Sequence, residues 1–150
     1  MRLGFRHLAV SAAALAFVLI LLGVYTGASG AGLACAGRWP LCDGFLGLFP
    51  ANLPSFIEWF HRFVAMIAGF VILGTAVAAY RGDHERRILL ATLVAVAVLP
   101  VQILLGANTI FNFGIWAQVL HHGAAQLIFG ALVAAAAWAY AEGDETRTTQ

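Results

Sequence analysis

The chain has 150 residues, 62% of them hydrophobic and only 10% charged, with a formal net charge of +1 and a mean hydropathy of +0.89. A net charge so near zero says nothing about nucleic acid, and no basic patch supports it as a partner. A chain this apolar excludes an ordinary soluble domain, and its length leaves room for one small membrane bundle.

Four apolar stretches have the length that crosses a bilayer core, about 18 residues or more. They run over Leu8–Tyr25, Phe56–Tyr80, Ile88–Leu105 and Ile115–Tyr140. Lipid offers no partner to backbone N–H and C=O groups, so each must be a helix. The expected fold is an all-α integral membrane protein, a single membrane domain over residues 1–150 that forms a four-transmembrane-helix bundle. Arginine sets the orientation. Arg2 and Arg6 precede the first span, and Arg81, Arg86 and Arg87 lie between the second and third. The long loop over residues 27–55 holds only Arg38. The positive-inside rule then places both termini in the cytoplasm and the long loop outside the cell membrane. The polar tail from Glu142, within the cytoplasmic segment 141–150, is expected to be disordered. His7 and His84 fall in the Arg-rich regions and are expected to be solvated. The first span, with Arg2 and Arg6 ahead of it, has some marks of a signal peptide. Its apolar stretch is longer than a usual signal core, and three more spans follow.

The chain repeats itself. Leu21-Leu22-Gly23-Val24-Tyr25-Thr26 closes the first span, and Leu104-Leu105-Gly106-Ala107-Asn108-Thr109 closes the third. After each comes an outer loop, then a span with His-x-x-x-Ala near its start: His61 to Ala65 and His121 to Ala125. The unit is a helical hairpin used twice, related by an axis along the membrane normal. Pro100 marks a kink in the third span.

The repeat brings two histidines to matching depth. Each lies five residues into its span, counting from Phe56 or Trp116, or about 8 Å along a helix rising 1.5 Å per residue. Two level imidazoles on facing helices are what bis-His ligation of haem requires. A pair of interfacial histidines hydrogen-bonded across helices is the blander alternative. His122 competes with His121, but the two point about 100° apart, so only one faces a given site. Glu58 shares a helix face with His61, and Glu58 and Arg62 are an i,i+4 pair. They form either a salt bridge near the interface, or a catalytic carboxylate beside a macrocycle and a guanidinium for its propionate. Cys35 and Cys42, both in the outer loop, read as a disulfide. It is either a structural staple or, if exposed, a pair able to exchange with thiols.

The words Thr26-Gly27-Ala28-Ser29-Gly30, Cys35-Ala36-Gly37-Arg38-Trp39-Pro40-Leu41-Cys42 and Ile57-Glu58-Trp59-Phe60-His61-Arg62 resemble the outer loop and second helix of haem A synthases. Leu104-Leu105-Gly106 and Leu120-His121 with Ala125 resemble that family's third and fourth helices. The usual member has eight spans in two similar halves, one with a b-type haem and one for substrate haem. This chain is similar to the amino-terminal, substrate-side half. The resemblance implies oxidation of the C8 methyl of haem O to a formyl, giving haem A for terminal oxidases. It implies O2 and an electron donor as co-substrates, and contact with a haem O synthase or a terminal oxidase. It makes His61 and His121 the ligands, Glu58 the catalytic residue and Cys35–Cys42 the loop disulfide. Likeness to half of a two-half protein implies a homo-oligomer. The rivals are a small membrane b-type cytochrome, a haem-binding assembly factor and a four-span thiol oxidoreductase, the last disfavoured by the missing Cys-x-x-Cys.

Overall fold

A computed structural model describes the backbone of residues 4–82 and 84–148. Four helices form the bundle: α1 (Phe5–Ala28), α2 (Leu53–Arg81), α3 (Arg86–Phe111) and α4 (Ile115–Thr148). All four are long and apolar enough to cross a membrane, and no strand occurs among the described residues. The protein is a multi-pass membrane protein. Each helix packs against its neighbours in chain order, and α4 closes the ring against α1.

The distribution of side-chain size reverses that of a soluble protein. The central core is mostly small: Ala12, Ala13 and Ala16 of α1 and Ala95 of α3 pack with Ile72, Ile128 and Leu132. Large side chains such as Phe17, Phe70, Leu104 and Leu127 point outward. In water those outward groups would form apolar patches far larger than soluble proteins tolerate. In lipid they cost nothing, and small residues inside let the helices approach closely.

Helix ends follow local chemistry. Asn52 caps α2, its Oδ1 accepting from Ser55 N at 3.0 Å, and Pro54 sits in the first turn, where its missing N–H is not needed. α3 continues to Phe111 as one helix through Pro100. The helix therefore extends beyond Leu105, where the apolar stretch ends, and the turn into α4 is short. The Asn112 amide donates to the Asn108 side chain at 2.8 Å, and Asn112 N donates to Asn108 O at 2.8 Å. Those bonds continue the helical pattern for another turn.

The end of the bundle that carries the termini is tied by side chains. α4 remains helical past Glu142, where a disordered tail was expected. The Glu142 carboxylate accepts from Glu85 N at 3.0 Å and lies 2.8 Å from His84 Nδ1. It thus satisfies an otherwise free N–H at the start of α3 and gives α4 an anchor there. The His84 ring also lies against Phe5, centroids 4.3 Å apart and tilted by 36°, so it is not the solvated group the sequence suggested. His7 is exposed as expected.

Candidate functional site

The opposite end of the bundle carries the long loop and the candidate site residues. Cys35 and Cys42 form a disulfide with Cα atoms 4.5 Å apart, and both residues are buried. Burial removes the exposed, thiol-exchanging alternative and leaves a staple. Ser55, at the start of α2, is the loop's anchor. Its hydroxyl lies 2.8 Å from Asp43 Oδ2 and 3.0 Å from Ala34 O. Cys35, Cys42 and Asp43 bring potential metal-ligating atoms together. The bridged sulfurs are not thiolates, so they make no zinc site.

Arg62 joins this loop to the helix below it. Its Nε donates to Glu58 Oε1 at 2.8 Å. Its Nη1 lies 2.9 Å from Arg38 O, 3.3 Å from Pro40 O and 2.8 Å from Leu41 O. The salt-bridge alternative for Glu58 and Arg62 is thus realised, with an added function as a clasp over the loop. Glu58 is 5% exposed, and its charge is balanced by one guanidinium. Removing that guanidinium would leave a buried carboxylate uncompensated.

The two hairpins place their histidines alike. In the first, the Cβ that an alanine would add at Gly23 of α1 lies 3.0 Å from His61 Cε1 on α2. In the second, a Cβ at Gly106 of α3 lies 3.2 Å from His121 Cε1 on α4. His122 makes a different use of its ring. Its Nδ1 lies 2.8 Å from Gln118 O, one turn back on the same helix. A carbonyl only accepts, so Nδ1 carries the proton and Nε2 keeps a lone pair.

Gln102 of α3 completes the group and was not singled out from the sequence. Its Nε2 lies 3.5 Å from His121 Nε2. A signal was present: Gln102 is a polar side chain within an apolar span, one turn before Gly106 and so on the same face. Among the described residues, three buried side-chain N or O atoms lack a hydrogen-bond partner: His61 Nδ1, His121 Nδ1 and Gln102 Oε1. Buried polar atoms are nearly always paired, so orphans on two histidines and the glutamine beside one of them point to a missing partner. Two neutral imidazoles and an amide suit a planar metal macrocycle held between helices. An apolar groove of about 470 Å³ lies elsewhere, between α1 and α4, with Val10, Phe17, Phe129 and Tyr140 among its walls. None of its walls is a histidine.

No family model matches the chain. Curated relatives do. A protoheme IX farnesyltransferase of Halobacterium salinarum is 36% identical over 124 residues, 81% of this chain and 27% of the relative. A heme A synthase of Bacillus licheniformis is 34% identical over 127 residues, 83% of this chain and 41% of the relative. A heme A synthase of Alkalihalophilus pseudofirmus is 30% identical over 132 residues, 85% of this chain and 44% of the relative. The chain therefore spans less than half the length of each of these relatives. Since it aligns over most of its own length with proteins of both names, both contain a stretch similar to this four-helix unit.

Proposed function

The chain is related to the haem A synthase family, and from that premise we propose that it is a haem-modifying membrane enzyme that oxidises the C8 methyl of haem O to a formyl. The observation that carries this reading is the set of unpartnered buried atoms on His61, His121 and Gln102. His61 of α2 and His121 of α4 would hold the macrocycle. When bound, the haem supplies the redox-active iron, with O2 and an electron donor as co-substrates. His121 is preferred to His122 because it alone reproduces the glycine contact of His61. The free Nε2 of His122 keeps it as the alternative ligand.

Glu58 lies one turn before His61, on the same face. Arg62 Nε, 2.8 Å from Oε1, orients its carboxylate and favours the charged form. A fixed negative charge there would stabilise positive charge developing on a substrate carbon, or take up and pass on a proton at the carboxylate. Arg62 spends Nε on Glu58 and Nη1 on the loop, which leaves Nη2 as its route to a propionate. The loop, on the extracytoplasmic face, keeps that edge of the site covered. Self-association into pairs completes the arrangement. Native mass spectrometry of an active preparation in mild detergent should find a dimer, and full activity from monomer alone would remove that part of the proposal.

The test is to co-express the chain with a source of haem O and analyse the extracted haem by pyridine haemochrome spectrum and mass. A haem A signal supports the enzyme. Bound haem without conversion supports the b-type cytochrome or assembly-factor alternatives. The farnesyltransferase-named relatives favour one form of the latter. The same four-helix unit would then hold haem beside a prenyl-transferring partner, and the extracted haem would be unoxidised.

A further inference from the structure

We propose that Gly23 and Gly106 are positioning residues. Each Leu-Leu-Gly word forms a cradle that receives the histidine of the following helix and sets how far its imidazole stands from the bundle axis. The proposal deepens the haem reading and rests on it for the identity of the ligand.

Helix glycines are usually explained by close helix packing, and the other glycines of these helices separate that explanation from this one. A Cβ added at Gly27, Gly74, Gly123 or Gly130 would meet nothing within 4 Å. At Gly69 it would make an ordinary contact, 3.8 Å from Leu99. Among the described glycines inside the four helices, only at Gly23 and Gly106 does it press on a neighbouring helix, and both times on a histidine ring. The atom pressed is Cε1 in each case. Cε1 lies between the two ring nitrogens, so displacing it moves both potential ligand atoms.

The placement is also matched. Gly23 is five residues from the end of α1, and Gly106 is five residues from the end of α3. Each is about 8 Å from the loop end of its helix at 1.5 Å per residue. The cradle is thus repeated with the ligand it serves. An added methyl requires each ring to give by a few tenths of an ångström. Iron ligation and macrocycle seating depend on geometry at about that scale, roughly 0.5 Å and 10–20°.

A merely structural glycine and a positioning glycine behave differently when the histidine is gone. The experiment uses the full chain and combines Gly23→Ala with His61→Gly, the latter supplied with free imidazole as replacement ligand. With His61 present, Gly23→Ala should shift the low-spin electron paramagnetic resonance g-values and lower retained haem several-fold. In His61→Gly with imidazole it should do neither, because a free ligand can settle a few tenths of an ångström away. Gly106→Ala should show the same dependence on His121, and Gly74→Ala should change nothing in either background. An equal effect of Gly23→Ala in both backgrounds, or none with His61 present, overturns the proposal. If the wild-type chain retains no haem, the functional reading fails separately. The cradle is then judged by melting temperature: Gly23→Ala should lower it with His61 and not in His61→Gly, and equal shifts would overturn it.

Discussion

The two hairpins share a plan and differ in what surrounds it. Both carry a histidine facing a glycine of the preceding helix. Both carry a threonine whose hydroxyl returns to its own helix: Thr26 to Leu22 O at 2.8 Å, and Thr109 to Gly106 O at 2.7 Å. The α1–α2 hairpin adds a long stapled loop and the Glu58–Arg62 clasp. The α3–α4 hairpin has a short turn and instead brings Gln102 against His121. The first hairpin surrounds its imidazole with a fixed frame and a buried charge, the second with neutral polar groups. A repeated scaffold thus gives its two histidines unlike neighbours. On the proposed function, the shared parts would position a ligand and the divergent parts would act on it.

The largest effects should come from the shared parts. His61→Ala and His121→Ala should each abolish low-spin haem ligation, read as loss of the sharp reduced α-band in purified protein. His122→Ala should leave that band in place. The opposite pattern for His121 and His122 would move the ligand by one residue.

The next test asks whether the charged side is the reacting side. Glu58→Gln keeps the shape and most of the hydrogen bonding but removes the charge. Conversion of haem O should fall about 10²-fold or more, the scale of losing a fixed transition-state interaction. Haem content should hold near wild type. If content and conversion fall in step, Glu58 serves only as the partner of Arg62.

The frame itself should matter less to chemistry than to stability. Cys35→Ser with Cys42→Ser removes a staple that typically contributes about 2–5 kcal/mol in small domains. Thermal melts should show the loss, and limited proteolysis should cut first between Gly27 and Asn52. Cleavage elsewhere at the same rate would mean the loop does not depend on the bridge.

The smallest effect belongs to the second hairpin. Gln102→Leu removes one long hydrogen bond and one unpaired buried oxygen together. A hydrogen bond contributes about 0.5–1.5 kcal/mol net, and losing the orphan offsets part of that. Melting should move little. The midpoint potential of bound haem should change, since the neighbour of one ligand has changed. An unchanged potential would show that Gln102 does not act through His121.

Much of this was legible in the sequence because membrane insertion is a local rule. A residue's preference for lipid depends on its own side chain, and a helix needs only its own backbone, so the four apolar stretches already specify four helices. The repeat was legible for a related reason: Gly23 and Gly106, and His61 and His121, keep their spacing to helix ends however the bundle packs. Helix limits were less so. Phe111 lies beyond the apolar stretch, and Glu142 is helical because of partners 57 and 58 residues away in the chain. The sequence by itself determined the number of spans, the histidine pair and the cysteine pair. Only tertiary structure decided that Arg62 reaches across the loop, that Glu58 is buried with it, that Gln102 meets His121, and that each glycine lies beneath an imidazole. Those are contacts between elements. They depend on how the helices are rotated about their axes, which close packing sets through all four helices at once.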